Sequence, residues 1–597
     1  MTAPFIYCDL IGDLPALAAQ RWGARHAFTF EDKSWSYQDV ETEVERLAHA
    51  LRALGVKKGD RVALWLTNSA MLECLLFAVI RIGAVAVPLN TRYRTQDLAF
   101  TLKNSGSVLL ISAGKSGPVN FDAILLEALD EVAVDAQGQM HSEAVPSLKR
   151  VVIMGDSAIP GALGWESFRD LGELPRDDSQ AWNDQSYQRH QESHILNSRS
   201  AMTPQPTDTA LIVYTSGTTG NPKGVLLSHN GMRLCFDRAE AMQLQASDIQ
   251  LTYLPLFHVY AISYSMIMSF MCGGAQVIMS GFQVDQALEL IAKHRVTVVH
   301  GFDAHFNDFM LALAKQPSDI SSLRFGTLTV GADSTIELAQ AAQSKVCPTL
   351  SGYGVTELWG GVTLTPQDAN LEQRCAASGY PLPGVELRVI NPDTQQPVST
   401  GEVGEIQVRS YSRMIGYHNQ PEATEQVFDQ DGWYKSGDAG ILRADGHVRF
   451  VVRLKDMLKV GGENVAAVER VVDVEGRRNG AAHGLAVLDS HGSVRPLGLD
   501  LGPALHHPDA FRRGGHRRAL LSGLDQPLRL DLLHRRRLVL QAHPRVRPAS
   551  APRRPRSTRP PCCSATSRST SAPRTAARSS RAWSTRSSSA PPRRPPD

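Results

Sequence analysis

The residue vocabulary of this chain changes near position 475, and that break limits what can fold. Residues 476–597 contain 24 Arg and 6 Asp but no Lys, Glu, Ile, Tyr or Met. From position 548 onward almost everything is Arg, Pro, Ser, Thr or Ala, with no sustained apolar periodicity. Such sequence buries too little apolar surface to offset the entropy of ordering it, so a disordered basic tail is expected. The chain's net charge of +2 conceals the division: the tail carries +18, and the 38 basic and 54 acidic residues left to 1–475 give −16. This excludes a uniformly basic nucleic-acid binder; only the tail has the charge for one. A folded body must lie within the first 475 residues, enough for more than one domain.

The eight cysteines are scattered and form no CxxC, which argues against a structural zinc or a thioredoxin-type site. A disulfide scaffold does not suit so large a chain. The N-terminus has no basic start followed by an apolar run, so no secretory signal is expected. Residues 251–284 contain no Asp, Glu, Lys or Arg, but Pro255, Gly273, Gly274 and Gly281 interrupt them. They read as buried strands and a core helix rather than a membrane span. A cytoplasmic protein follows from these readings.

Leu47, Leu51 and Leu54 repeat at helical spacing within a helix expected over 36–60, with Gly55 as its stop and 57–60 as a turn. A strand at 61–66, a helix at 71–80 and a strand at 84–88 follow. This alternation predicts layered α/β architecture around largely parallel sheets. Residues 171–207 are polar and read as a long loop; 210–214 read as a buried strand. Short strands at 385–390, 404–408 and 447–452, separated by Gly, Pro and Asp turns, predict a small β-rich subdomain over 384–454.

The sharpest local signal is Thr215-Ser216-Gly217-Thr218-Thr219-Gly220-Asn221-Pro222-Lys223-Gly224, placed after that apolar strand. Its glycines let backbone N–H groups turn toward an anion, its hydroxyls add donors, and Lys223 adds a charge. It is a phosphate cradle in chemical terms, although no Walker A register fits.

With this motif the chain resembles the adenylate-forming superfamily of acyl-CoA synthetases, luciferases and peptide-synthetase adenylation domains. Other landmarks follow in order: Val79 to Asn90, Leu254-Pro255-Leu256-Phe257-His258, Tyr353-Gly354-Val355-Thr356-Glu357, Gly404-Glu405-Ile406, Trp433 to Asp438, Arg453-Leu454-Lys455-Asp456, and Lys459 to Val465. The resemblance spans about residues 10–469 and is most like a fatty-acid or other carboxylic-acid CoA ligase. It implies an AMP-binding domain over 1–454, a hinge and the start of a second domain over 455–475, and an anomalous remainder over 476–597. It further implies that Tyr353 lies against adenine, with Gly331, Ala332 and Asp333 lining that site. The hydroxyl and glycine run 215–220 and Lys223 hold phosphate, Thr356 touches the α-phosphate, Glu357 helps hold Mg²⁺, Asp438 accepts from the ribose, and Arg453 reaches the ribose or phosphate. His258 gates the acyl pocket or is a core histidine; Trp359 and Gly360-Gly361 shape the pocket end, or Trp359 is a core residue. Lys455 is the hinge, and Gly461-Gly462 line a pantetheine channel or form a plain turn.

The implied chemistry is attack of a carboxylate on the α-phosphorus of ATP, giving acyl-AMP and pyrophosphate, then displacement of AMP by the thiol of coenzyme A. The expected partners are therefore ATP, Mg²⁺, coenzyme A and a small-molecule carboxylic acid, a fatty or other apolar one by the composition of 251–284; neither nucleic acid nor a transmembrane segment is expected, and peripheral membrane contact stays open. The family also requires a catalytic lysine from its C-terminal domain, and Lys459 is the last lysine here. A reading-frame slip between about residues 470 and 480 would produce the Arg-, Ala-, Pro- and Ser-rich vocabulary; a genuine basic tail is the alternative. An acyl-adenylate-binding pseudoenzyme, or a nucleic-acid or membrane-surface binder acting through the tail, are the competing functions.

Overall fold

Ser36 shows why the first long helix starts where it does: its hydroxyl accepts from the Asp39 N–H, and the Asp39 carboxylate accepts from the Ser36 N–H. The helix Tyr37–Ala53 buries Val40, Val44, Leu47 and Leu51 along one stripe. Gly55, at φ +86°, turns the chain away, and the Lys57 N–H donates to the Asp60 carboxylate across the following turn. The helix is thus shorter than the expected 36–60.

The computed structural model describes residues 5–117, 119–173, 203–215 and 222–454, except the side chains of Asp333 and Ser334; beyond 454 it describes only the backbone of five short strands. The predicted loop over 171–207 falls largely outside the described residues. So does most of the tail.

The body holds two large, mainly parallel sheets. The first runs Leu163–Gly164, Arg150–Met154, Leu109–Ala113, Arg61–Trp65, Val85–Pro88, Thr209–Thr215, Lys223–Ser228 and Gly416–Tyr417 in spatial order. The second runs Thr349–Leu350, Phe325–Leu328, Val298–Gly301, Ile249–Thr252, Ala275–Ile278, His26–Phe30 and Lys33–Ser36. Helices such as the largely apolar Ala70–Arg81 pack between and around them, the α/β layering that the alternation of elements predicts.

The apolar run 251–284 supplies the buried strands Ile249–Thr252 and Ala275–Ile278 and the helical stretch between them. Among the described residues no helix is long and apolar enough to cross a membrane.

The third sheet is antiparallel: Glu386–Ile390, Val403–Arg409, Tyr434–Leu442 and Val448–Arg453. The strand Tyr434–Leu442 differs from the expectation of a turn-rich stretch. Its Ser436-Gly437-Asp438 segment keeps its turn composition as a bulge: Lys435 pairs with Gln407 and Ala439 with Glu405, the three residues between them bulge out with Gly437 at φ +68°, and pairing to the other neighbour begins at Asp438 opposite Arg453.

Past the body, Met457–Val460 pairs with Glu463–Ala466, and Val471–Asp473, Leu485–Leu488 and Val494–Pro496 form a small antiparallel sheet. Two of these strands lie where composition predicts disorder.

Candidate functional site

The strands of the antiparallel hairpin Thr209–Thr215 and Lys223–Ser228 bring Thr215 opposite Lys223. The loop joining them carries Ser216, Gly217, Thr218, Thr219 and Gly220, which lie outside the described residues, as do Lys455, Gly461, Gly462 and the Asp333 side chain. Thr215 and Lys223 themselves face a cavity of about 790 Å³. The same cavity is lined by His258, Gly354, Thr356, Glu357, Gly360, Asp438 and Arg453, residues brought from widely separated stretches of sequence.

Tyr417 links Lys223 and Glu357. The short strand Gly416–Tyr417 pairs with Val225 and Leu226, and the neighbouring Met414 N–H donates to the Glu357 carbonyl at 2.7 Å. Tyr417 is thereby set between two predicted site residues. Its hydroxyl donates to Glu357 Oε1 at 2.7 Å, and its ring lies 4.7 Å from Lys223 Nζ. Burial, reinforced by the Glu357 charge, pushes the Tyr417 phenol well above its ordinary range, so it stays a donor.

Asp438 and Arg453 face each other across the third sheet, with Nε 3.6 Å from Oδ1. Asp438 is buried, whereas the Arg453 side chain is about half exposed. The second Asp438 oxygen accepts from the Tyr353 hydroxyl at 2.8 Å. Burial raises the Asp438 pKa, and the Tyr353 hydrogen bond and the Arg453 charge oppose that rise.

Tyr353 does not present its ring on the cavity wall. It is buried behind it, with the Phe450 ring stacked at 6.2 Å and an interplanar angle of 19°. Gly331 and Ala332 likewise stand behind the wall, at the start of helix Asp333–Lys345. Gly331 has φ +148°, and a Cβ there would come within 2.6 Å of the Phe450 carbonyl oxygen. Thr327, Leu328 and Thr329 line the cavity instead.

The other half of the cavity is apolar and aromatic: Leu254, Val259, Tyr260, Tyr264, Phe302 and Leu328. His258 is exposed beside it and is the N-cap of the helix that begins at Val259. Surrounding protein atoms and the Arg92 charge lower its pKa. Trp359 is a core residue: it is fully buried, and the Gly231 position leaves room for its ring. Its own αL backbone, φ +64°, turns the chain so that Gly360 and Gly361 reach the cavity.

Sequence reasoning missed Tyr260, Tyr264, Phe302, Glu405, Tyr417 and Lys435 on this wall. Glu405 and Lys435 sit inside quoted motifs and were within reach; Tyr417 carries no pattern of its own and is placed by strand pairing.

For Mg²⁺ the fit is limited but chemically consistent. No cluster of three or more His, Cys, Asp or Glu able to hold a metal occurs among the described residues. Glu357 offers one carboxylate on the cavity, with one oxygen taken by Tyr417. A single carboxylate suits an ion whose other ligands are phosphate oxygens and water.

The AMP-binding enzyme profile matches residues 16–418. A feruloyl-CoA synthase of Amycolatopsis sp is 31% identical over 436 residues, 73% of this chain and 76% of that one. The mitochondrial medium-chain acyl-CoA ligase of Mus musculus is 27% identical over 469 residues, 77% of this chain and 73% of that one. Among solved structures, the N-terminal domain of FACL13 from Mycobacterium tuberculosis matches with a TM-score of 0.60 at 25% identity, covering 74% of this chain and 99% of that domain.

Proposed function

Because the chain belongs to the AMP-binding enzyme family, by family an AMP-forming acid–thiol ligase, we propose that its cavity activates an apolar carboxylic acid as acyl-AMP for transfer to coenzyme A. The carrying observation is that one cavity joins Thr215, Lys223, Thr356, Glu357, Asp438 and Arg453 to an apolar wall. The polar half has the donors and charges for a nucleotide, and the apolar half has the chemistry for an acyl group.

In this reading Lys223 and Thr215 hold phosphate oxygens, together with the loop 216–220. Thr356 donates to the α-phosphate, and Asp438 accepts from the ribose hydroxyls with Arg453 beside it. Tyr353 acts from behind, keeping Asp438 oriented through its hydroxyl. Glu357, oriented by Tyr417, would hold Mg²⁺, which supplies charge neutralisation at the phosphates when bound. The acid's carboxylate oxygen forms a bond to the α-phosphorus as the bond to pyrophosphate breaks. The coenzyme A thiolate then attacks the acyl carbonyl and AMP leaves. Positioning and electrostatic neutralisation dominate such a transfer.

We assign residues 1–454 to the AMP-binding domain, 384–454 to its β-rich subdomain, 455–475 to the hinge and the start of a second domain, where Lys455 would pivot and Gly461-Gly462 would flank the thiol's path, and 476–597 to the aberrant remainder. Lys459 is the last lysine, so the family's charge-stabilising lysine has no counterpart, and loss of one such donor costs about 10²–10³-fold in rate. This same observation favours a second reading, an acyl-adenylate-binding protein with little turnover. Acid-dependent pyrophosphate release by the full chain separates the two. Slow, acid-dependent release supports the ligase; none, with retained nucleotide binding, supports the binding protein. Translating the coding sequence in all frames tests the slip: a Lys- and Ile-containing continuation after about codon 470 supports it, and its absence in both other frames refutes it.

A further inference from the structure

The helical stretch entering the apolar half of the cavity ends its contact with the wall at Tyr264. His258 at its start is exposed, Tyr260 is half-buried, and Tyr264 is 5% exposed. One turn further, Met268 and Phe270 are buried in the core and do not line the cavity. From His258 to Tyr264 the helix advances about 9 Å at ~1.5 Å per residue. The turn carrying Tyr264 is a π-helical stretch, Ile262–Ile267, a geometry that re-aims side chains.

Tyr264 is held from behind by Arg238. That guanidinium is fully buried and has no ion pair among the described residues. It donates to the Gly361 carbonyl at 2.6 Å, the Trp359 carbonyl at 3.3 Å and Ser263 Oγ at 3.1 Å, and its Cζ lies 4.1 Å from the centre of the Tyr264 ring. The Tyr260 ring packs edge-on against Tyr264 at 4.6 Å, and Tyr260 is itself tied to Thr327 by a 2.6 Å hydrogen bond. The Tyr264 oxygen occupies the space of a side chain at Gly361, where a Cβ would sit 2.1 Å away. A buried cation fixed to two backbone carbonyls and an aromatic face does not move cheaply, so the wall is rigid.

We propose that Tyr264, braced by Arg238, closes the inner end of the acyl pocket, so that the site takes single-ring or similarly short apolar acids and excludes long-chain fatty acids. The inference rests on the acyl-adenylate reading above and narrows it. Tyr264 is then a specificity-determining residue, and Arg238 a positioning residue acting through it. The aromatic edges of Tyr260 and Phe302, 5.4 Å apart at 73°, suit a flat ring.

The test measures binding of 5′-O-sulfamoyladenosine and its benzoyl, octanoyl and hexadecanoyl derivatives to the full-length chain by thermal shift and calorimetry. The benzoyl derivative is expected to bind at least about tenfold tighter than the hexadecanoyl one, a difference of ~1.4 kcal/mol. Tyr264→Ala is expected to remove that gap or reverse it, and Tyr264→Phe, which keeps the ring, to preserve it. Affinity that rises through hexadecanoyl in the parent chain overturns this inference alone, whether or not Tyr264→Ala folds. Failure of all four compounds, the unacylated one included, overturns the acyl-adenylate reading itself.

Discussion

Replacing Tyr353 by Phe removes one oxygen from the site and tests whether the Tyr353–Asp438 contact is a charged hydrogen bond. The hydroxyl donates to Asp438 at 2.8 Å, and both residues are buried. Hydrogen bonds to charged groups contribute about 1.5–3 kcal/mol, against about 0.5–1.5 kcal/mol between neutral ones. Burial already raises the Asp438 pKa, with Tyr353 and Arg453 opposing. In the folded chain Asp438 therefore holds its proton to higher pH than when unfolded, and stability falls as pH rises from the unfolded value through the folded one. Without the hydroxyl the folded pKa rises further and that fall extends to higher pH. The deficit of Tyr353→Phe against the parent should be smallest in acid, where only a neutral contact is lost, and reach about 2–3 kcal/mol near neutrality. Urea unfolding of both proteins at a series of pH values, followed by tryptophan fluorescence, measures the deficit. A deficit that is constant with pH, or that shrinks as pH rises, refutes the charged-hydrogen-bond account.

Three further outcomes are expected. Burial pushes the Glu73 carboxyl up to about 8 from its ordinary 4.5, with Gln276 donating to one oxygen and the other without a partner among the described residues. Glu73→Gln should therefore gain up to about 3 kcal/mol over the parent at pH 7 relative to pH 4.5, at ~1.36 kcal/mol per pKa unit; equal pH profiles in denaturant unfolding would contradict it. Gly361→Ala places a methyl 2.1 Å from the Tyr264 oxygen and should weaken acyl-adenylate analogue binding about tenfold while sparing AMP, as calorimetry would show. Tyr417→Phe frees the Glu357 carboxylate from its 2.7 Å donor but leaves a ring beside Lys223; the Mg²⁺ dependence of ATP binding should shift, and an unchanged dependence counts against Glu357 as the metal ligand.

The α/β layers were legible because their signals are local. Leu47 and Leu51 at helical spacing, Ser36 before them and Gly55 after them define one helix almost alone. The polar half of the site was legible for a related reason: Lys223, Thr356, Glu357 and Asp438 lie in ordered motifs, and the fold brings all four to one cavity. What sequence did not reveal depends on pairing between distant segments. Tyr417 matters because a two-residue strand docks beside Val225 and Leu226. Strand Tyr434–Leu442 absorbs its turn-like Ser436-Gly437-Asp438 as a bulge between paired residues Lys435 and Ala439. An aromatic motif residue suggests a stacking face, but Tyr353 spends its hydroxyl on Asp438 and packs its ring on Phe450. Arg238, a charge with no acidic partner among the described residues, follows no surface pattern; the Trp359 and Gly361 carbonyls, Ser263 Oγ and the Tyr264 ring explain its burial.

The central claim is that one cavity holds a nucleotide by Asp438 and an acyl group by its apolar half. Calorimetric titration of the full-length chain with AMP and with a benzoyl-sulfamoyl adenosine, in the parent and in Asp438→Ala, tests it most directly. The account predicts that AMP binds, that the acyl analogue binds more tightly, and that Asp438→Ala weakens both by about tenfold or more, ~1.4 kcal/mol. No binding heat from a chain whose circular dichroism shows it folded, or affinities that Asp438→Ala leaves unchanged, would contradict it.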